Sequence, residues 1–168
     1  MIEASLSASP ELSERIRTEL EQLQAEIASV RPLLETLTRR EPDDIEMRAA
    51  ALTVHGFYNG VEAIFLIIAR RFDRQVPDGT RWHRHLLDQM KTATQLRPAI
   101  IGEQEYDMLV EYLSFRHMVR HSYPGTLSWE RFREIAQNLI DSHRRVDQCI
   151  RQFLESTADL GNDEAETG

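Results

Sequence analysis

The sequence contains one cysteine, no apolar run of membrane-spanning length and no excess of positive charge. Cys149 has no second cysteine to pair with, and the helical apolar spacing around it predicts a buried structural thiol. The longest apolar run covers residues 63–69, whereas a spanning helix needs about 20 apolar residues. No charged segment followed by an apolar stretch opens the chain, so we predict a cytoplasmic protein without a secretory signal or membrane association.

Metal and cofactor motifs are missing as well. His83 and His85 are two residues apart and point to different sides of a helix, and no second Cys or His cluster completes a zinc set. The sequence therefore predicts neither a metal nor a cofactor. The net charge of −8 argues against nucleic-acid binding through a uniformly basic surface, although a local arginine cluster could still hold a few phosphates.

No segment alternates between apolar and polar residues over more than a few positions, so strands are not predicted. With 168 residues and 41% hydrophobic content, the chain is large and apolar enough for one domain with a core. We predict an all-α fold, an antiparallel helical bundle of four main helices plus a short one. The predicted boundaries are an N-terminal tail over residues 1–10, the helical domain over 11–157 and a flexible acidic tail over 158–168.

Apolar spacing and capping residues place the predicted helices. The first begins at Pro10 with Ser9 as its N-cap, and the fourth follows an N-cap at Ser128 and carries apolar residues as far as Phe153. Between them we expect a second helix over about 44–73, a short helix over about 82–94 and a third long helix from about 103 into the segment 115–124.

The first helix carries one long apolar seam, in which residues recur at alternating steps of three and four. Pro32 interrupts the seam and is expected to kink the helix. Two interpretations are open, a coiled-coil arm and a bundle helix that docks on its own domain. The seam consists of Leu12, Ile16, Leu20, Leu23, Ile27, Val30, Leu34 and Leu37.

The second helix is apolar over much of its circumference and should be the most buried. Polar His55, Tyr58, Asn59 and Glu62 fall partly on a shared face of this helix and could line a site. The alternative is that Asn59 and Glu62 form hydrogen bonds with a neighbouring helix or with a dimer partner. Glycines at positions 56 and 60 would allow another helix to approach closely.

Residues 115–124 concentrate cationic and titratable side chains at the end of the third long helix. At about 100° per residue, Arg116 shares a face with Arg120, and His117 shares a face with His121. Proline at position 124 ends the helix, and unpaired carbonyls at a helix C-terminus favour a protonated imidazole. A histidine beside an arginine could serve phosphodiester chemistry, but a solvated basic patch at a helix end is the alternative.

The spacing from Arg116 to His121 and Tyr123 resembles the Arg-x4-His-x-Tyr signature of the HEPN superfamily, in its HepT-like toxin branch. In that superfamily Asn, Asp or His usually follows the arginine, and His117 stands there in this chain. Residues 56–62, with the sequence Gly-Phe-Tyr-Asn-Gly-Val-Glu, are also similar to HepT-like sequences. The resemblance covers residues 45–155.

This resemblance implies a metal-independent ribonuclease that acts as a homodimer, with the motif helices of both chains at one cleft. By the same resemblance, Arg116 would hold the scissile phosphate of the RNA substrate, and His121 would act as general base or acid. His117 would orient its neighbours or handle the second proton, and Arg120, Asn59 and Glu62 would support them. The ribose 2′-OH would attack phosphorus and leave a 2′,3′-cyclic phosphate and a 5′-OH.

The resemblance also assigns a role to Tyr123. HepT-like toxins are typically paired with a minimal nucleotidyltransferase antitoxin, which transfers AMP from ATP to the motif tyrosine and silences the ribonuclease. AMP on Tyr123 would place bulk and negative charge beside Arg116 and Arg120. Without the resemblance, Tyr123 is an amphipathic residue that closes a turn.

Two other functions fit the same residues. One is a non-catalytic HEPN-like helical module that binds a nucleotidyltransferase or a nucleotide and keeps the motif for structure. The other is a helical dimerisation protein that uses the amino-terminal seam as its interface. The long first helix could also lie across the dimer face that the resemblance implies.

Overall fold

The computed structural model describes residues 9–121 and 125–166, with side chains as far as Thr157. Within these ranges the chain forms helices and no strand, as predicted. Four long helices and two short ones form the bundle, together with one π-helical turn. They are α1 (Pro10–Thr36), α2 (Asp44–Ile68), the π-turn (Ala69–Asp73), α3 (Trp82–Lys91), α4 (Glu103–His121), α5 (Trp129–Gln137) and α6 (Leu139–Glu166).

Helix α1 docks on its own domain, which confirms the bundle interpretation of the seam over the coiled-coil arm. Every seam residue is buried except Val30, which is partly buried. Leu23 packs so closely against Gly60 of α2 that a Cβ atom there would lie 3.1 Å from the leucine side chain. The helix continues through Pro32, and Ser9 accepts a hydrogen bond from the Leu12 amide as the predicted N-cap.

Helix α2 lies at the centre of the bundle and contacts all five other helices. Asp43 caps its start and Glu46 completes a capping box, so two otherwise unsatisfied backbone donors are paired. Arg40 forms an ion pair with Glu46, and the hydrogen bond from Arg40 lowers the pKa of Glu46 to about 2. The buried side of α2 is continuous over four turns, with Val54, Phe57, Val61, Ile64, Phe65 and Ile68 fully enclosed.

By length and composition, the segment Asp44–Asp73 resembles a membrane-spanning helix, although sequence analysis predicted no such segment. Its most apolar window has a mean hydropathy of 1.4, and 61% of that window is buried inside the domain. Core helices of bundles are apolar all round for the same reason. The burial of α2 is that of a core helix.

The connection from α2 to α3 is a turn, as its composition predicts. Gly79 has a φ of 81°, in the left-handed region that glycine adopts without steric cost. After α3, residues 92–102 lead to α4, and Arg97 of this connection is buried against Asp73 at the end of the π-turn.

The carboxyl-terminal part corrects one expectation. Sequence analysis predicted a single fourth helix after Ser128, whereas the structure has α5 and α6 separated at Asn138. The amide of Asn138 donates to the carbonyls of Ala136 and Glu134 and closes α5. Asparagine often occupies such positions because its side chain competes for backbone hydrogen bonds. The backbone of α6 continues past residue 157, the predicted domain boundary, to Glu166.

The position of α1 bears on the site described below. Helix α1 packs against α2, α5 and α6, and among the described residues it makes no contact with α3 or α4. The amino-terminal seam therefore covers the opposite part of the bundle from the helices that carry the motif histidines and arginines. Within one chain, the first helix leaves the motif helix uncovered.

Candidate active site

Three helices meet around Arg116. This arginine lies on α4 in phase with Leu109 and Leu113, so its side chain points into the bundle rather than away from it. Only 8% of Arg116 is exposed. Its Nε donates to Oδ1 of Asn59 at 3.0 Å, and its Nη1 contacts Nε2 of His83 at 3.1 Å. Sequence analysis placed Arg116 on a shared face with Arg120; the structure buries Arg116 and exposes Arg120.

Glu62 closes this arrangement from α2. Its Oε2 lies 2.6 Å from Nδ1 of His83, and its Oε1 lies 3.6 Å from Nη2 of Arg116. Glu62, His83 and Arg116 are each more than nine-tenths buried. Buried charges are stable in proteins only when they are paired and hydrogen-bonded, which these contacts provide. Asn59 and Glu62 thus bind neighbouring helices of the same chain, one of the two roles that the sequence left open for them.

The hydrogen bonds fix the protonation of His83. A guanidinium has donors and no acceptor, so Nε2 of His83 must accept the hydrogen bond from Arg116. The ring then carries its proton on Nδ1 and donates it to the Glu62 carboxylate. The three side chains form a neutral unit in which one carboxylate balances one guanidinium.

The network extends along α2 to His55. The Asn59 amide Nδ2 lies 3.2 Å from Nε2 of His55, while the Oδ1 atom of Asn59 accepts from Arg116. Burial lowers the pKa of His55, and the positive charges of Arg116 and Arg120 lower it further. A neutral His55 can accept the amide hydrogen of Asn59. Tyr58, on the same predicted face, is instead fully buried, and burial raises the pKa of its phenol.

The remaining motif residues lie on the surface beside this network. His117, Arg120 and His121 are exposed on the last turns of α4, and the ring centroid of His117 lies 5.8 Å from that of His83. Partial burial lowers the pKa of His117, and the positive charges of Arg116 and Arg120 add to the effect. The imidazole of His117 is therefore kept in its neutral, proton-accepting form near neutral pH. Tyr123 lies outside the described residues.

Sequence reasoning gave His83 no role in this site. It considered His83 and His85 only as zinc ligands, whereas the structure buries His83 against Glu62 and Arg116 and leaves His85 exposed. A signal was present, because His83 lies three, four and seven residues before Leu86, Leu87 and Met90, all buried. A polar side chain in phase with the apolar stripe of a short helix needs a buried partner.

The other chemistry-bearing groups offer little to a reaction. Cys149 is partly buried, and burial raises the pKa of its thiol, which lowers the thiolate population that a nucleophile needs. Within residues 9–121 and 125–157, no group of three or more His, Cys, Asp or Glu side chains could hold a metal ion. The candidate site thus consists of a guanidinium in contact with the His83 imidazole, with His117 and His121 on the same helix as Arg116.

The fold and this site define an all-α HEPN-like bundle with arginine and histidine on one motif helix. A model of the family described as HepT-like protein matches residues 49–157, more than half of the chain. The chain therefore belongs to the HepT-like family of the HEPN superfamily. No curated protein and no solved structure matches it.

Proposed function

We propose that this protein is a metal-independent endoribonuclease toxin of a toxin–antitoxin pair. The observation that carries the proposal is the immobilised guanidinium of Arg116, with the neutral imidazole of His117 and the exposed His121 beside it on α4. Family membership supports the same reaction class. A fixed cationic donor stabilises charge that develops on phosphorus, and a neutral imidazole accepts a proton near pH 7.

The proposed reaction needs one proton acceptor and one proton donor. A base removes the proton of the ribose 2′-OH, whose oxygen attacks the adjacent phosphorus, and an acid protonates the departing 5′-oxygen. The products are a 2′,3′-cyclic phosphate and a 5′-OH. We assign the first transfer to His117, whose imidazole is held in the proton-accepting form, and the second to His121. Arg116 stabilises the phosphorane charge through N–H donors that its protein partners leave available, and Arg120 supplies further positive charge.

A homodimer is part of this proposal. The residues Ile45 and Leu52 of α2 are 79% and 73% exposed, although sequence analysis predicted that this helix is the most buried. Ile45, Leu52 and Asn59 follow one another at intervals of seven and therefore lie on the same side of α2. Two exposed apolar side chains therefore lie on the side of α2 that leads to Asn59 of the Arg116 network. A second copy of the chain on this side of α2 would bury them and double the number of cationic groups at one cleft.

Control by AMP transfer completes the proposal. Tyr123 is the acceptor for AMP from a cognate minimal nucleotidyltransferase antitoxin, and both proteins act in the cytoplasm. The support is the motif position of Tyr123, two residues after His121, and family membership. A phosphodiester-linked nucleotide beside Arg120 would compete with RNA for positive charge.

The test is cleavage of RNA by the purified protein, with and without EDTA, followed by analysis of the product ends. Cleavage that resists EDTA and leaves 2′,3′-cyclic phosphates is expected from wild type and from the surface control H85A. H121A should be inactive, and cells that express it should grow, whereas expression of wild type should arrest growth. Harmless expression of the wild type together with intact RNA would refute the proposal.

One observation favours a second function, the non-catalytic helical module that binds a nucleotidyltransferase or a nucleotide. Arg116 is buried and contacts Asn59, Glu62 and His83, as an arginine kept for structure would. In that case, intact mass measured after co-expression with the neighbouring nucleotidyltransferase would show AMP on Tyr123, and the unmodified protein would leave RNA intact.

A further inference from the structure

His83 is the one member of the buried network that comes from α3, and neither the motif nor the family match assigns it a task. It contacts a carboxylate through one ring nitrogen and a guanidinium through the other. Because Glu62 holds the proton on Nδ1, His83 offers its unprotonated Nε2 to Arg116 and so influences where the guanidinium lies. The proposed reaction depends on the position of Arg116, so the geometry of His83 matters for it.

We infer that His83 is a positioning residue for Arg116 in the proposed ribonuclease reaction, and this inference rests on that proposed function. Neutral His83 provides the only nitrogen acceptor among the described partners of Arg116, at 3.1 Å from Nη1. Asn59 holds the Nε edge of the guanidinium at the same time. Two hydrogen bonds on different edges fix both the place and the rotation of a planar group.

Glu62 acts on Arg116 mainly through His83. The carboxylate lies 2.6 Å from the His83 ring but 3.6 Å from the nearest guanidinium nitrogen, which is beyond hydrogen-bond length. Its closer contact selects the Nδ1–H form of the ring and leaves Nε2 free to accept. The arrangement of Glu62, His83 and Arg116 resembles carboxylate–histidine pairs in which the carboxylate sets the tautomer of a functional imidazole.

The arrangement leaves donors on Arg116 for a substrate. A guanidinium has five N–H groups, and among the described residues only two of those of Arg116 form hydrogen bonds. The other N–H groups lie on Nη1 and Nη2, the end of the guanidinium that phosphate oxygens bind in bidentate contacts. His83 therefore orients the guanidinium without using all of its donors.

The packing around His83 is suited to a fixed ring. Trp82 stacks on it with a centroid distance of 3.6 Å, and His117 contacts it edge-on. His83 is 8% exposed, so the ring is enclosed between α2, α3 and α4. An imidazole that cannot turn presents the same nitrogen to Arg116 at all times.

The experiment compares three single variants in RNA cleavage at saturating substrate. H83F keeps a planar ring but has no acceptor, H83Q offers an amide oxygen to Arg116 and an amide N–H to Glu62, and H85F makes the same change at an exposed position of α3. We expect kcat to fall about 100-fold or more in H83F, because misplacement of a catalytic group by about 1 Å can have an effect of that size. KM should change little, H83Q should stay within about tenfold of wild type, and H85F should match wild type.

Nuclear magnetic resonance provides a readout that does not depend on activity. In wild type at neutral pH, the nitrogen-15 spectrum of the His83 ring should show a protonated Nδ1 and an unprotonated Nε2. The side-chain N–H signals of Arg116 should change in H83F and be restored in H83Q. Folding of each variant is checked by its thermal transition.

The outcomes separate this inference from the proposed function. Full activity of H83F, an H83Q variant no better than H83F, or a proton on Nε2 of His83 would each overturn the positioning role. If wild type leaves RNA intact, the ribonuclease proposal fails, whereas the expected tautomer and Arg116 signals would still establish that His83 positions the arginine.

Discussion

Two buried arginines in this protein are held in different ways. The side chain of Arg97 is completely enclosed, and all five of its N–H groups are used, two on the carboxylate of Asp73 and three on backbone carbonyls. The side chain of Arg116 is 9% exposed and, among the residues that the structure describes, forms two hydrogen bonds, to Asn59 and His83. The first guanidinium has no donor left for a ligand, whereas the second keeps N–H groups that donate to none of the described residues.

In the proposed reaction, this difference separates an arginine that stabilises the fold from one that also binds the substrate. Both side chains pay the cost of leaving water, and both are paired with a carboxylate. The contact lengths differ, because Arg97 lies 2.6 Å from Asp73 and Arg116 lies 3.6 Å from Glu62. A looser pair with free donors is what binding of a phosphate would require of a buried arginine.

The largest effect is expected from loss of Arg97. R97M leaves the Asp73 carboxylate without its guanidinium and three carbonyls without donors, so we expect the free energy of unfolding to fall by about 3–5 kcal/mol. R116M should reduce it by less, about 1–3 kcal/mol, because His83 still donates to Glu62. Urea unfolding followed by circular dichroism measures both. Equal losses would contradict the distinction between the two arginines.

For RNA cleavage we expect the opposite order, with a larger loss from substitution of Arg116 than of Arg97. R116K keeps one positive charge but lacks the planar fork, and we expect RNA cleavage to fall by about 10²–10³-fold, the usual effect of removing one donor from a charge-stabilising site. The stability of R116K should stay close to that of R116M. The matched change R97K should reduce activity only in proportion to the unfolded fraction, as single-turnover rates below its thermal transition would show.

A smaller effect is expected at Asn59. N59A removes the acceptor for Nε of Arg116 and the donor to His55, and the exposed position limits the cost to about 1 kcal/mol of unfolding free energy. Cleavage should nevertheless decrease, because one edge of the guanidinium is released. The surface variant N138A, which is remote from the α3 and α4 contacts of Arg116, serves as the control for a general loss of helix stability.

The smallest effect concerns pH. Burial, followed by nearby positive charge including Arg120, lowers the pKa of His117. R120Q removes one of these charges, so the pKa of His117 rises toward its ordinary value and the neutral form appears at higher pH. The acid limb of the kcat profile should therefore move to higher pH in R120Q, and high salt should reduce the difference. R74Q, remote from His117, is the control, and an unchanged limb in R120Q would remove His117 from the reaction.

Local sequence patterns predicted the fold well because they act over a few residues. The seam of α1 and the cap at Ser9 each follow from spacing or backbone preference. The break at Asn138 was missed because the apolar spacing continues from Phe132 to Ile150 across it. Apolar period alone does not reveal a change of helix direction.

The candidate site was predicted in part. The motif positions pointed to Arg116, His117 and His121 on one helix, and α4 carries all three. The partners of Arg116 are 33 to 57 residues away in sequence, and only the packing of three helices brings them together. The burial of Arg116 could have been predicted because it lies seven and three residues after the buried Leu109 and Leu113. Its hydrogen-bond acceptors, Asn59 and His83, could not.

Arg97 has a consequence for α3 as a whole. Its guanidinium donates to the carbonyls of Gln89 and Thr92, at the end of α3 where helix carbonyls lack partners. The other end of the same ten-residue helix holds His83 against Glu62 and Arg116. We therefore expect α3 to unfold locally as one cooperative unit. A substitution at Arg97 that loosens the last turn of α3 should then raise the amide hydrogen-exchange rates of its first turn as well.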